Sequence, residues 1–210
     1  MNIHVQFSSL HGGQLKGADM KKVLLFLANG FEEVEAVTPI DFLRRAGVQV
    51  TTVGIGGNRI EGAHGIVIEA DTSLADFYTS TGPEDGDDYD GIICPGGMPG
   101  AANIAAEDRI LSMIEDYNRQ GKIVAAICAS PGVILAGTTV LDGRKATCYP
   151  GFEKHFGAST EFSTERVVVD HNIITSRGPG TSAEFSIELI RAFTDDKTAE
   201  AVKNGTIQNI

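Results

Sequence analysis

Cysteine is scarce in this chain. Its 210 residues hold three, Cys94, Cys128 and Cys148, in no CxxC pair and at no metal-ligand spacing. That excludes a zinc ribbon and a thioredoxin-type centre, and no metal site is expected. An odd, small thiol count fits a reducing cytoplasm better than a disulfide-stapled secreted fold. Basic residues are also short, 17 against 28 acidic ones, for a net charge of -11. Such a chain repels phosphate backbones, so nucleic acid is an unsuitable partner. No polybasic cluster or basic amphipathic helix suggests a membrane surface. The longest apolar runs are strand-length, too short to span a bilayer. Neither GxxxxGK[ST] nor GxGxxG occurs, so the Gly-Gly segments are not nucleotide phosphate loops.

What is present reads as one globular domain over residues 20–210, with 42% hydrophobic and 21% charged residues. Residues 1–19 are polar and aperiodic and lack a signal peptide's basic and apolar regions. They are expected to be an N-terminal extension or cloning remnant ahead of Met20. Beyond them, apolar strand-like runs alternate with helical periods. Val23–Leu27, Val48–Val53, Ile66–Ile68, Tyr89–Cys94, Lys122–Ile127, Val167–Val169 and Ile173–Thr175 read as strands. Glu32–Arg45, Asp108–Gln120, Ala183–Phe193 and part of Lys197–Ile210 read as helices. Pro39 is expected to bend the first helix or split it in two, and Thr181 to N-cap the third. Pro83–Asp88 reads as an acidic surface loop. The alternation predicts a mostly parallel sheet covered on both faces, with sites beyond the carboxyl ends of its strands.

Three segments occupy such positions. Cys128 follows an apolar run and precedes Ala129-Ser-Pro131 and a new apolar stretch. This is the pattern of a nucleophile elbow, with a helix N-terminus aimed at the sulfur. The same pattern suits a buried structural cysteine equally well. Glu35 falls early in the first helix, where acids ordinarily just complement the helix dipole. If it meets Cys128, its protonation decides the outcome. A carboxylate raises the thiol pKa by repulsion, whereas a protonated carboxyl donates to a thiolate and provides a general acid/base. Gly96-Gly97 permits close backbone approach and N–H donors for an oxyanion, or merely a tight turn. Among five histidines, His4 and His11 lie in the N-terminal segment, and His64 and His171 read as surface residues. His155 is the one that merits weighing as a base.

In order along the chain, the motifs Ala28-Asn-Gly-Phe-Glu-Glu-Val-Glu35, Asp41-Phe-Leu-Arg-Arg-Ala-Gly47, Pro95-Gly-Gly97, Ala125-Ala-Ile-Cys-Ala-Ser-Pro131 and Thr175-Ser-Arg-Gly-Pro-Gly-Thr181 resemble the ThiJ/PfpI superfamily. The match is to the branch of the human parkinsonism-associated protein deglycase. The resemblance implies a flavodoxin-like α/β three-layer sandwich and a homodimer. It implies Cys128 as the reactive cysteine, Glu35 as its protonated neighbour, and an oxyanion pocket from Gly96, Gly97 and Ala129. It further implies cofactor-free glyoxalase or deglycase activity on methylglyoxal-type aldehydes or their glycated adducts. An oxidation-responsive stress protein or redox chaperone is the alternative, and a small-molecule cysteine hydrolase a weaker one. Tyr149 stands where human-like members carry histidine, which puts a Cys-His mechanism in doubt. Tyr149, Arg45 and His155 are the expected supporting residues.

Overall fold

The computed structural model describes residues 20–80 and 88–209. The N-terminal segment, with His4 and His11, and most of the acidic loop lie outside the described residues.

Strand β1 (Lys22–Leu27) is an unbroken apolar run because both of its faces are covered. Val23, Leu25 and Leu27 point to one side, Leu24 and Phe26 to the other, and all five are fully buried. Around it the chain adds β2 (Gln49–Gly54), a hairpin of β3 (Arg59–Glu61) and β4 (Val67–Glu69), and β5 (Thr72–Ser73). There follow β6 (Gly91–Cys94), β7 (Ile123–Ile127), a small pair β8 (Lys145–Ala146) and β9 (Glu161–Phe162), β10 (Val167–Asp170) and β11 (Ile173–Ser176). The main sheet has seven strands in the order β10-β11-β7-β6-β1-β2-β5. Every pairing in it is parallel except β10 with β11, joined through the turn at His171.

The helices are α1 (Glu33–Arg45), α2 (Leu74–Ser80), α3 (Gly100–Ala105), α4 (Asp108–Arg119), α5 (Ser130–Val133), α6 (Ser182–Phe193) and α7 (Asp196–Gly205). Phe42 and Leu43 of α1, Phe185 and Ile190 of α6 and Val202 of α7 pack on the Val23–Leu25 face. Ile104 of α3 and Ile110, Ile114 and Tyr117 of α4 cover the Leu24–Phe26 face. The result is a flavodoxin-like α/β three-layer sandwich. No helix among the described residues is long and apolar enough to cross a membrane.

Two local expectations are corrected and one is narrowed. Of the two outcomes expected at Pro39 the split is ruled out, because α1 runs as one helix of 13 residues. The missing N–H costs one intrahelical bond, and Pro39 is itself buried in the packed face, so tertiary packing outweighs the local defect. Thr181 precedes α6, but its hydroxyl makes no cap. Its Oγ1 is instead engaged by Ser176 Oγ at 2.6 Å and by the Gly178 N–H at 3.1 Å. The helix expected after Cys128 is a four-residue turn continued by a 3-10 turn over Leu135–Gly137. So short a helix carries little dipole, and the sulfur depends on individual N–H groups.

Strand order fixes where a site can form. From β1 the chain moves outward to β2 and β5, then returns to place β6 on the other side of β1. Connections therefore diverge between β1 and β6, opening a crevice above their carboxyl ends. The segments leaving β1, β6 and β7 carry Glu35, Gly96-Gly97 and Cys128.

Candidate active site

Cys128 has φ 66°, the left-handed region that a side chain ordinarily avoids. Two backbone bonds hold it there. Its N–H donates to the Ser176 carbonyl at 2.9 Å, and its own carbonyl accepts from the Tyr149 N–H at 2.7 Å. The strained turn lifts the thiol out of the β7 line toward the crevice, as an elbow requires. Replacing Cys128 with glycine should relieve this strain. Cys128→Gly should be more stable than Cys128→Ala by up to about 1 kcal/mol, once glycine's larger unfolded-state entropy is subtracted. Denaturant midpoints of the two variants check this, and an alanine variant at least as stable as the glycine one contradicts the strained elbow.

Glu35 is fully buried near the start of α1. Its Oε2 accepts from the Gly96 N–H at 2.9 Å. Oε1 has no hydrogen-bond partner among the described residues and faces Gly178, where an added Cβ would lie 4.0 Å away. Burial pushes the carboxyl up to about 7, against the opposing effects of the neighbouring Cys128 thiol and the Gly96 N–H bond. Near neutrality this acid therefore exchanges its proton readily, as a general acid/base must.

Gly96 stands between the two reactive groups. A Cβ there would come within 2.6 Å of Glu35 Oε2, 2.7 Å of Cys128 Cβ and 3.0 Å of the Ile127 carbonyl. Only glycine lets acid and thiol share one locus. Gly97, at φ 88°, is constrained from behind, since a Cβ would meet the Glu32 nitrogen at 2.3 Å. The Gly97 and Ala129 N–H groups favour the Cys128 thiolate.

Burial pushes the Cys128 thiol up, and an ionised Glu35 pushes it further, while the Ala129 and Gly97 N–H groups act against both. The thiolate is thus not the resting form while Glu35 is charged. Sulfur and carboxyl stand side by side around Gly96 and compete for one negative charge. When Glu35 holds the proton, the repulsion vanishes and the same contact favours the thiolate. The other two cysteines are buried, and burial lifts each thiol to about 12.

Residues 21–192 match the family model of the DJ-1/PfpI family. This chain belongs to the DJ-1/PfpI family. It is 36% identical over 186 residues to the Parkinson disease protein 7 homolog of Danio rerio, covering 87% of this chain and 95% of that protein. Protein DJ-1 homolog B of Arabidopsis thaliana is 37% identical over 87% of this chain, but the chain spans only 40% of that longer protein. Among solved structures, oxidized Toxoplasma gondii DJ-1 has a TM-score of 0.82 at 34% identity, covering 90% of this chain and all of that one. Drosophila melanogaster DJ-1beta has a TM-score of 0.81 at 32% identity, covering 90% and 98%.

The DJ-1/PfpI fold brings together Cys128, Glu35, Gly96, Gly97 and Ala129, and sets Tyr149 beside them. The Tyr149 ring lies on Gly178, with Cδ2 3.2 Å from where a Cβ would stand, and meets Phe152 edge-on at 6.4 Å. It is about half exposed and walls the crevice near Glu35 Oε1. The other two supporting residues lie elsewhere. His155 is exposed on a 3-10 turn against the far side of Phe152. Arg45 closes the opposite end of α1, ten residues and about 15 Å of helix from Glu35, and is bound to Asp41 at 2.7 Å.

Sequence reasoning missed Ser176, Gly178 and Thr181 as builders of the site. Ser176 supplies the carbonyl that anchors Cys128, and its hydroxyl ties it to Thr181 and to the Arg166 carbonyl. Thr175–Thr181 enters only as a motif of the resemblance, with no role in the site assigned to these three residues.

Proposed function

We propose that this protein is a cysteine-dependent, cofactor-free glyoxalase or deglycase acting on methylglyoxal-type aldehydes or their adducts. One observation carries the reading: a strained, partly exposed thiol beside a buried carboxyl, with the Gly97 and Ala129 N–H groups favouring its thiolate. The thiolate attacks the aldehyde carbon of methylglyoxal, and the Gly97 and Ala129 N–H groups stabilise the oxyanion of the hemithioacetal. Glu35 gives its proton to that oxyanion, and the resulting carboxylate removes the C1 proton and returns it to C2, converting the adduct to a thioester. Water then releases lactate and the thiol. Overall, one water adds to methylglyoxal and no net oxidation occurs. A glycated adduct offers the same carbon to the same sulfur.

The histidine-independent arrangement supports this chemistry over hydrolysis, because no imidazole among the described residues faces Cys128. A reducing, cytoplasmic setting suits a thiol reagent. The proposed assembly is a homodimer through the outer stripe of α1, where Val34 and Val37 stand about half exposed one turn apart. The test is lactate formation from methylglyoxal by the purified protein without added thiol or metal. No lactate above the uncatalysed background refutes the proposal.

A second reading rests on the uneven burial of the thiols. Cys128 alone is partly exposed, whereas Cys94 and Cys148 are buried. A redox-responsive stress protein would use that contrast, and the Toxoplasma gondii relative was solved in an oxidized form. Mild peroxide should then add two oxygens, seen by intact mass and mapped to Cys128. Oxidation spread over all three cysteines speaks against it.

A further inference from the structure

On the outer side of the turn that carries Glu35, three side chains converge that the proposed reaction does not use. Glu32 and Glu33 begin α1, and His64 sits in the loop between β3 and β4. His64 Nδ1 lies 2.9 Å from Glu33 Oε2 and 3.5 Å from Glu32 Oε2. One ligand atom from each falls within 4.8 Å of the other two.

We propose that Glu32, Glu33 and His64 form a site for a borderline divalent metal ion of the zinc type. Charge is the first argument. Both carboxylates are largely withdrawn from water, with side chains 15% and 5% exposed, and among the described residues His64 is their one ion-pair partner. Two carboxylates against one imidazole leave the cluster with a net negative charge, hydrogen-bonded at Glu33 but not neutralised, and a divalent ion supplies the countercharge. Preorganisation is the second. Glu33 Oε1 already accepts from the backbone N–H groups of His64 at 2.7 Å and Ile66 at 3.3 Å, which leaves Oε2 turned toward the imidazole. Gly62 makes room, since a Cβ there would stand 2.4 Å from the Glu33 carboxyl carbon.

Ligand chemistry chooses the ion. Bonds of about 2.0–2.2 Å to nitrogen and oxygen place tetrahedral ligands about 3.4 Å apart. The separations of 2.9 and 3.5 Å need only a small adjustment. An imidazole with two carboxylates suits zinc better than calcium or magnesium, which prefer all-oxygen shells. His64 binds through the Nδ1 lone pair with its proton on Nε2, so any proton on Nδ1 leaves on binding. His64 is two-thirds exposed, so water reaches the fourth position. The ion then ties the β3–β4 hairpin to the start of α1 as a structural clamp.

The experiment titrates Zn²⁺ into chelator-treated full-length protein by calorimetry, with Co²⁺ absorption as a second reading of geometry. The expected result is one equivalent bound and a visible Co²⁺ band of low-coordinate type. Affinity should fall at least tenfold in His64→Ala and in Glu32→Gln, and stay unchanged in Cys128→Ser. Absence of saturable binding overturns the proposal. So does one-site binding that survives both ligand substitutions, or one that is lost with Cys128. Circular dichroism of the variants separates ligand loss from unfolding.

Discussion

Cys128→Ser should lower lactate formation from methylglyoxal by at least about 10⁴-fold, the scale seen when an activated nucleophile is lost. The serine variant keeps the left-handed turn, the backbone bond to the Ser176 carbonyl and the nearby N–H groups of Gly97 and Ala129. It loses the reagent. Glu35, pushed up to about 7, can draw the proton from a thiol far more readily than from an alcohol several units less acidic. The loss should fall on kcat, because the pocket that binds the substrate is unchanged. Steady-state kinetics on both proteins decides it. Activity within tenfold of wild type means that sulfur is not the nucleophile.

The second large effect should come from Glu35→Gln, which separates thiol reactivity from turnover. Glutamine is nearly isosteric, and its amide oxygen can still accept from the Gly96 N–H. It cannot accept or return a proton, so lactate formation should drop by about 10²–10⁴-fold. The thiol should respond in the opposite direction. An ionised Glu35 raises Cys128, so removing that charge should lower the thiol pKa and speed alkylation by iodoacetamide at neutral pH. Faster alkylation together with lost turnover is the expected signature. Slower alkylation would show that the carboxyl activates the sulfur even when charged. Retained lactate formation would remove Glu35 from the proton transfer altogether.

Much of the frame is legible in the chain because it depends on local pattern. Val23–Leu27 and Ile123–Ile127 are continuous apolar runs, and only a strand covered on both faces needs that. Short, weakly apolar pieces such as Arg59–Glu61, Thr72–Ser73 and Lys145–Ala146 carry no such signature. They become strands because a neighbour offers its backbone. Pro39 shows the reverse, a breaking signal that does not split α1 once the helix packs on the core. At the site, Cys128 and Glu35 stand out by residue type, whereas Arg45 is expected only as a supporting residue, from its motif. Helix geometry alone separates them, because they occupy opposite ends of one helix.

By itself the sequence determined the alternation of strands and helices, the lack of any phosphate-binding or paired-cysteine motif, and a cysteine at a strand exit. These follow from residue type and short-range periodicity, which act over a few positions of chain. Only the tertiary structure decided that residues 35, 96, 97, 128 and 176 meet. Strand order sends β2 to one side of β1 and β6 to the other, and the crevice opens where those connections part. The pKa of Glu35 is likewise a tertiary property. Exclusion of water by segments distant in sequence raises it, and no spacing along the chain encodes that burial.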